Sequence, residues 1–272
     1  MTDVDLRAAI NAVSDVVQNR PLPLREFDQI YMKTGDMVMQ SEFVARWAAG
    51  KRLAFVGDGD AISVCVAYLV SRGILDDGPS AITVFDFDER VVNAVRRFAS
   101  AEGIESLTAE LYNCIDPLPT FEKYDCFYTN PPWGASNGGD SVKVFAHRGF
   151  ELLQFDGEGL IVIGDDPAVD WTKEVLHSVQ GYANDQGFFV SRMTPHLHSY
   201  HLDDAPDLRS CNLMVRSLPG NGRTVASESR VGPDLEHFYG KGATARVRYV
   251  RDRLGRDRGR ERMDDYELEM LE

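Results

Sequence analysis

Asn130, Pro131, Pro132 and Trp133 stand together at the end of the apolar run 124–129. Two successive prolines fix φ at about −65° and lack N–H groups, so a strand must stop there and its exit stiffens. The Asn130 carboxamide and the nearby carbonyls, that of Pro131 included, then face outward as hydrogen-bond acceptors. Trp133 adds a flat apolar wall that can also meet a cation. Such a corner can hold an amine nitrogen. Asn-Pro equally favours an ordinary turn, so the chemistry depends on what lies upstream.

Upstream, residues 53–56 form an apolar run of strand length, followed by Gly57-Asp58-Gly59-Asp60 and a helical pattern over 61–70. A second strand, 81–85, leads into Asp86-Phe87-Asp88 and an amphipathic helix around 90–101. A third, 107–112, runs into Asn113-Cys114-Ile115-Asp116 ahead of Pro117, and the fourth ends at Asn130. Further on, 160–164, 188–193 and 212–218 read as strands, with a helix over 171–179. The order predicts an α/β chain with a Rossmann-like doubly wound sheet of about seven strands. Ligands sit at the carboxyl ends of such strands, and an acid at the second tip commonly takes ribose hydroxyls. One nucleoside-like ligand could therefore touch Gly57, Asp58, Gly59, Asp86, Asp88, Asn113, Asp116 and Pro131.

Composition narrows the class. With 272 residues, 43% of them hydrophobic, the chain can fill one α/β core with small appendages. Three parts are expected: a helical, substrate-lining segment at 1–50, the Rossmann-like domain at 51–218, and a charged tail or lid at 219–272. The first contains a helix over 3–18. In the tail, 251–262 mixes six arginines with three acids, and every charged residue of 264–272 is acidic. A solvated, partly disordered terminus is expected there ahead of a charged helix, a lid or the arm of a homodimer. No apolar stretch approaches the ~20 residues that span a bilayer, and no secretory signal opens the chain. Cys65, Cys114, Cys126 and Cys211 are scattered without ligand spacing, which suits buried reduced thiols in the cytoplasm and no metal site. His196, His198 and His201 form a loose cluster, read as loop or substrate-wall residues. The net charge of −14 argues against a nucleic-acid partner and suits a polycationic small molecule. A solubilising surface would also explain that charge, but not the acids in the glycine turn.

The motifs resemble a known family. Arg20-Pro21-Leu22-Pro23-Leu24-Arg25-Glu26-Phe27-Asp28-Gln29 resembles the Pro-rich "EFDQ" segment of the branched-chain polyamine synthases, the N4-bis(aminopropyl)spermidine synthases, and Thr34 continues it. Val56-Gly57-Asp58-Gly59-Asp60 is similar to their Gly-Asp-Asp-Asp turn, and Phe85-Asp86-Phe87-Asp88-Glu89-Arg90 to their "LDIDER" element. Pro117-Leu118-Pro119, Tyr124-Asp125 and Pro131-Pro132 keep the family's order. The resemblance, over roughly residues 20–218, implies a class I methyltransferase-like fold, decarboxylated S-adenosylmethionine as aminopropyl donor, and a linear polyamine as acceptor. It departs in three places. The family has Asp where this chain has Asn130, and another Asp where it has Asn113, though Asp116 is near. The segment 134–140 looks like an inserted, flexible glycine-rich loop. The family's Asp can help deprotonate the attacking amine, whereas an amide is no base at neutral pH.

Two donors remain open. S-adenosylmethionine ends in a carboxylate, which two unpaired acids within ~4–6 Å would repel at a cost on the order of 1 kcal/mol each. The decarboxylated donor ends in an ammonium, which the same acids attract. Asp58 and Asp60 thus favour aminopropyl transfer, and the balance falls there. Asn130 and Trp133 favour N-methyl transfer to a small amine or nucleobase. Asp58, Asp60, Asn130 and Trp133 are the catalytic candidates, although Asp60 could simply cap the helix that follows. Glu26, Asp28, Trp133, His198 and Tyr200 are the candidates for binding the acceptor.

Overall fold

The computed structural model describes residues 4–119, 122–202, 208–231, 235–239, 246–253 and 266–271. The apolar runs form the expected strands: β1 (Arg52–Val56), β2 (Ala81–Asp86), β3 (Leu107–Leu111), β4 (Cys126–Thr129) and β5 (Glu158–Gly164). They pair in parallel, and β6 (Phe188–Ser199) and β7 (Arg209–Ser217) complete a seven-stranded sheet. Its order is β3-β2-β1-β4-β5-β7-β6, with β7 antiparallel to β5 and to β6. The residues of β1, β2, β4 and β5 are almost all buried, as strands covered by helices on both faces must be, while the edge strand β3 alternates. The chain reverses from β3 to β4 across β1, and there the crevice opens.

The helices follow from their patterns. α3 (Ile62–Ser71) is apolar on every side and buried from Ile62 to Leu69. α4 (Glu89–Glu102) is amphipathic; the Asp88 carboxylate caps its start and Gly103, at φ 65°, ends it. α1 (Leu6–Asn19) and α2 (Thr34–Trp47) lie against α3 and share the one hydrophobic core with it, so these two helices are no separate body. α5 (Asp140–Leu152) and α6 (Asp170–Asp185) pack along β4, β5 and β6. Gly149 and Gly159 make room for the Phe127 ring at the centre of β4. A Cβ on either would stand 2.3–2.4 Å from that ring.

Three expectations are corrected. The segment 134–140 turns back on itself, with the Asn137 and Gly139 amides donating to the Gly134 carbonyl at 3.1 Å, and delivers the chain into α5. β6 and α6 run further than their periodic cores suggested, β6 through bulges that blur the two-residue alternation. In the tail, β8 (Val247–Asp252) and β9 (Tyr266–Met270) pair antiparallel, and β8 lies against α4. Those residues form neither a solvated terminus nor a helix. Most of the arginine run, at 254–265, lies outside the described residues. No helix among the described residues is long and apolar enough to cross a membrane.

Candidate active site

A cleft of about 810 Å³, counting space open to solvent, lies over the carboxyl ends of β1, β2 and β4. Its walls include Gly57, Asp58, Gly59 and Asp60 from the turn after β1, Asp86 and Phe87 after β2, and Asn113 and Cys114 after β3. Asn130, Pro131, Pro132 and Trp133 after β4 add to the wall, and Asp28, Tyr31 and Tyr200 complete it. Four strand tips distant in sequence therefore line one space, as the sequence led one to expect.

The first tip turns sharply because Gly57 takes φ 75°, where a Cβ would also press on Phe145 at 3.2 Å. The acids that follow face different ways. Asp58 turns its carboxylate into the start of α3, accepting from the Ile62 amide at 2.9 Å and from both the amide and hydroxyl of Ser63. Burial, opposed by Ser63 and reinforced by Asp60 and Asp86, drives its carboxyl well above the usual range. Asp58 thus caps a helix. Asp60 is the acid joined to the Asn-Pro-Pro-Trp corner. Its carboxylate accepts from Asn130 Nδ2 at 2.7 Å and from the Met32 amide at 2.7 Å. Arg20 donates to the Asp60 carbonyl at 3.0 Å while its guanidinium covers the Tyr31 ring at 4.0 Å. Burial raises the Asp60 carboxyl, and Arg20, Met32 and Asn130 hold it back.

At the second tip, Asp86 accepts from the Asp58 and Asp88 amides, each at 2.9 Å. Burial and the neighbouring Asp88 charge push it up to about 7. Each carboxylate oxygen keeps a lone pair beyond those two bonds. Asp88 does not line the cleft. Fully buried, it caps α4 and holds the Arg90 guanidinium at 2.6 Å. Asn113 lines the cleft but donates to the Arg248 carbonyl at 2.6 Å, joining the third tip to β8. Asp116 stands away from it, paired with Arg248 at 3.1 Å and Tyr249 at 3.3 Å.

Past β4, Trp133 is only 7% exposed and meets Tyr200 edge to face at 5.1 Å. Asp28 lines the cleft from a left-handed turn at φ 56°. Glu26 does not; it accepts from the Tyr266 hydroxyl at 3.0 Å. His198 is likewise no part of the wall. It is 1% exposed, bonded to Ser210 Oγ and Gln40 Oε1 at 2.9 Å each, and burial pushes it down to about 4. Sequence reasoning missed Arg20, Tyr31, Phe87, Tyr112, Phe145 and Tyr239. Phe87 was open to view between the two acids. Tyr239, stacked on Phe87 at 5.6 Å, comes from a stretch with no periodic signal.

The strand order and a cleft built from four successive strand tips define a class I methyltransferase-like α/β protein. Residues 8–269 match the family model of the branched-chain polyamine synthase A C-terminal domain, so the chain belongs to that family. It is 28% identical over 147 residues to an N(4)-bis(aminopropyl)spermidine synthase of Thermococcus kodakarensis, a match covering 53% of this chain and 39% of that one. Its counterpart from Thermus thermophilus is 29% identical over 146 residues, covering 52% and 38%. The matched stretch is thus about two fifths of the length of these curated relatives. The crystal structure of the Thermus thermophilus branched-chain polyamine synthase, in complex with N4-aminopropylspermidine and 5′-methylthioadenosine, superimposes with a TM-score of 0.69 at 19% identity. That superposition covers 83% of this chain and 67% of that one.

Proposed function

We propose that this protein transfers aminopropyl groups from decarboxylated S-adenosylmethionine to a polyamine nitrogen. The observation that carries the reading is the single cleft in which a glycine turn and a ribose-type acid face an Asn-Pro-Pro-Trp corner. In this reading the Asp86 lone pairs take the ribose hydroxyls, and Gly57 and Gly59 let the backbone approach the donor's tail. Phe87, Tyr112 and Cys114 wall the base. Asn130 Oδ1 receives the N–H of a neutral acceptor amine, with Pro131 stiffening its backbone and Trp133 shielding the sulfonium. The amine lone pair attacks the carbon bound to sulfur. The C–N bond forms as the C–S bond breaks, and the thioether leaves with the electron pair. The donor is already activated, so the protein orients the partners and excludes water. Asp60 is the carboxylate placed to take the proton that the new ammonium gives up, since Asn130 cannot. Asp28 and Asp60 face the cationic ends of donor and acceptor, and the net charge of −14 adds a field of the right sign. Protein in the cytoplasm and a homodimer complete the reading.

A second reading has one observation in its favour. With Asp58 turned into α3, only Asp60 in the glycine turn repels the carboxylate of S-adenosylmethionine, and Asn130 would serve a methyltransferase as a positioning acceptor. Calorimetry separates the two. Decarboxylated S-adenosylmethionine is expected to bind at least about tenfold tighter than S-adenosylmethionine, as one favourable charge pair replaces an unfavourable one. The opposite ranking would establish the methyl reading instead.

A further inference from the structure

Among the described residues, four tyrosines line the cleft, and three of them spend their hydroxyls within the protein. Tyr31 donates to the Pro21 carbonyl at 2.9 Å, Tyr112 donates to the Asp116 carbonyl at 2.9 Å, and Tyr200 shares a hydrogen bond with Ser210 Oγ at 2.7 Å. Tyr239 is the exception. Its hydroxyl has no hydrogen-bond partner among the described residues, and the oxygen stays open to the cleft that the residue lines. The residue is nonetheless only 6% exposed. A polar group held so deep forfeits most of the hydrogen bonds that water would give it, and a partner is expected to replace them.

Tyr239 is held from two sides. Its ring stacks on Phe87 at 5.6 Å and stands edge-on to Phe27 at 5.2 Å, beside the tip of β2. The backbone just before it is tied to the chain entering α5. Asn137 Nδ2 donates to the Glu236 carbonyl at 3.2 Å, and Ser141 Oγ donates to the Phe238 carbonyl at 2.6 Å. At the neighbouring third tip, the Asn113 carboxamide is engaged within the protein, donating to the Arg248 carbonyl at 2.6 Å and accepting from the Ile115 amide at 3.2 Å. Burial raises the Tyr239 phenol, with Cys114 and Asp86 adding to it, so the group stays protonated and offers both a proton and lone pairs. A purine edge presents ring nitrogens that accept and, in adenine, an exocyclic amine that donates. A phenol can meet either.

We propose that the Tyr239 hydroxyl hydrogen-bonds the edge of the donor's purine base, making Tyr239 a specificity residue that the tail contributes to the nucleoside pocket. This rests on the reading of the cleft as a donor site. It holds for either donor, because both carry the same nucleoside.

The probe is 5′-methylthioadenosine, followed by calorimetry on the full chain. Tyr239→Phe keeps the ring on Phe87 and removes only the oxygen. It is expected to weaken the probe about tenfold, while the ligand-free melting temperature is no lower than that of the unaltered protein, since an unpartnered hydroxyl adds nothing to the fold. Deaza analogues of the probe, each lacking one ring nitrogen, and a form without the exocyclic amine complete the comparison. One of them is expected to bind the unaltered protein more weakly than the probe does, and to lose no further affinity in Tyr239→Phe. Unchanged probe affinity in Tyr239→Phe would overturn the proposal. Losses that simply add for every analogue would also overturn it, by placing the hydroxyl off the base. A melting temperature lowered in step with affinity would make the hydroxyl a structural one and overturn it too. No binding by the unaltered protein would overturn the donor reading and this assignment with it, a result that none of the others resembles.

Discussion

Asp58, Asp60 and Asp86 differ in what their carboxylates touch, and each difference has a measurable consequence. Asp58 caps α3, so Asp58→Ala is expected to cost about 1–2 kcal/mol in chemical denaturation. Asp58→Asn, which keeps an acceptor for the Ile62 amide, should leave donor affinity within twofold. Asp60→Asn should weaken the decarboxylated donor roughly tenfold or more, because a charge pair is lost rather than a cap. Equal losses in the two Asn variants would show that both acids face the donor. Asp86 sets a pH dependence whose sign follows from its elevation to about 7. In the proposed reading its ionised form accepts ribose hydroxyls, and its protonated form is poorer at it. Affinity for 5′-methylthioadenosine should therefore fall about tenfold per unit as pH drops below about 7. A flat calorimetric profile from pH 5 to 8 would remove Asp86 from the ribose. The positions of these acids were legible in the sequence, because a strand followed by glycines or acids fixes where the backbone turns. Their directions were not. A helix start captures the nearest carboxylate, and no spacing rule told Asp58 from Asp60.

Among the elements, α5 carries the interaction most exposed to test. Arg148 is fully buried and donates to the Cys114 carbonyl at 2.8 Å, to Glu151 at 2.7 Å, to Ser227 at 2.7 Å and to the Glu228 carbonyl at 2.6 Å. One side chain thus joins α5 to the cleft wall after β3 and to the segment at 227–228. Arg148→Met should destabilise by about 3–5 kcal/mol, since it leaves the buried Glu151 without its main partner. Arg148→Met combined with Glu151→Leu should recover part of that loss in the same urea titration. A single variant costing under about 1 kcal/mol would contradict the burial described. Periodicity showed β1 to β5 and α4 well, because an apolar core stripe and a glycine stop are local signals. It could not show β8 and β9. These strands are short and charged, and they are held by partners far away in sequence: Asn113 to Arg248, Arg251 to Glu89 at 3.4 Å, and Tyr266 to Glu26 across 240 residues. The reading of Glu26 as a substrate ligand failed for the same reason.

At the scale of the whole molecule, the tail, the segment between α1 and α2 and the sheet tips meet around one cleft, and the family match from residue 8 to 269 spans all three. The order of strand tips was sufficient to find that cleft from sequence. Its polar support was not foreseeable, because His198, Ser210, Asn212 and Gln40 come together only through strand pairing and the packing of α2. In the proposed function, donor and amine meet there for a carbon–nitrogen bond to form. Its most direct measurement is the mass of products after incubating the protein with S-adenosylmethionine and its decarboxylated form, separately, against a panel of linear polyamines. The expected result is a polyamine heavier by one or more aminopropyl units, formed from the decarboxylated donor alone and with release of 5′-methylthioadenosine. Products heavier by methyl units, formed from S-adenosylmethionine alone, would contradict it.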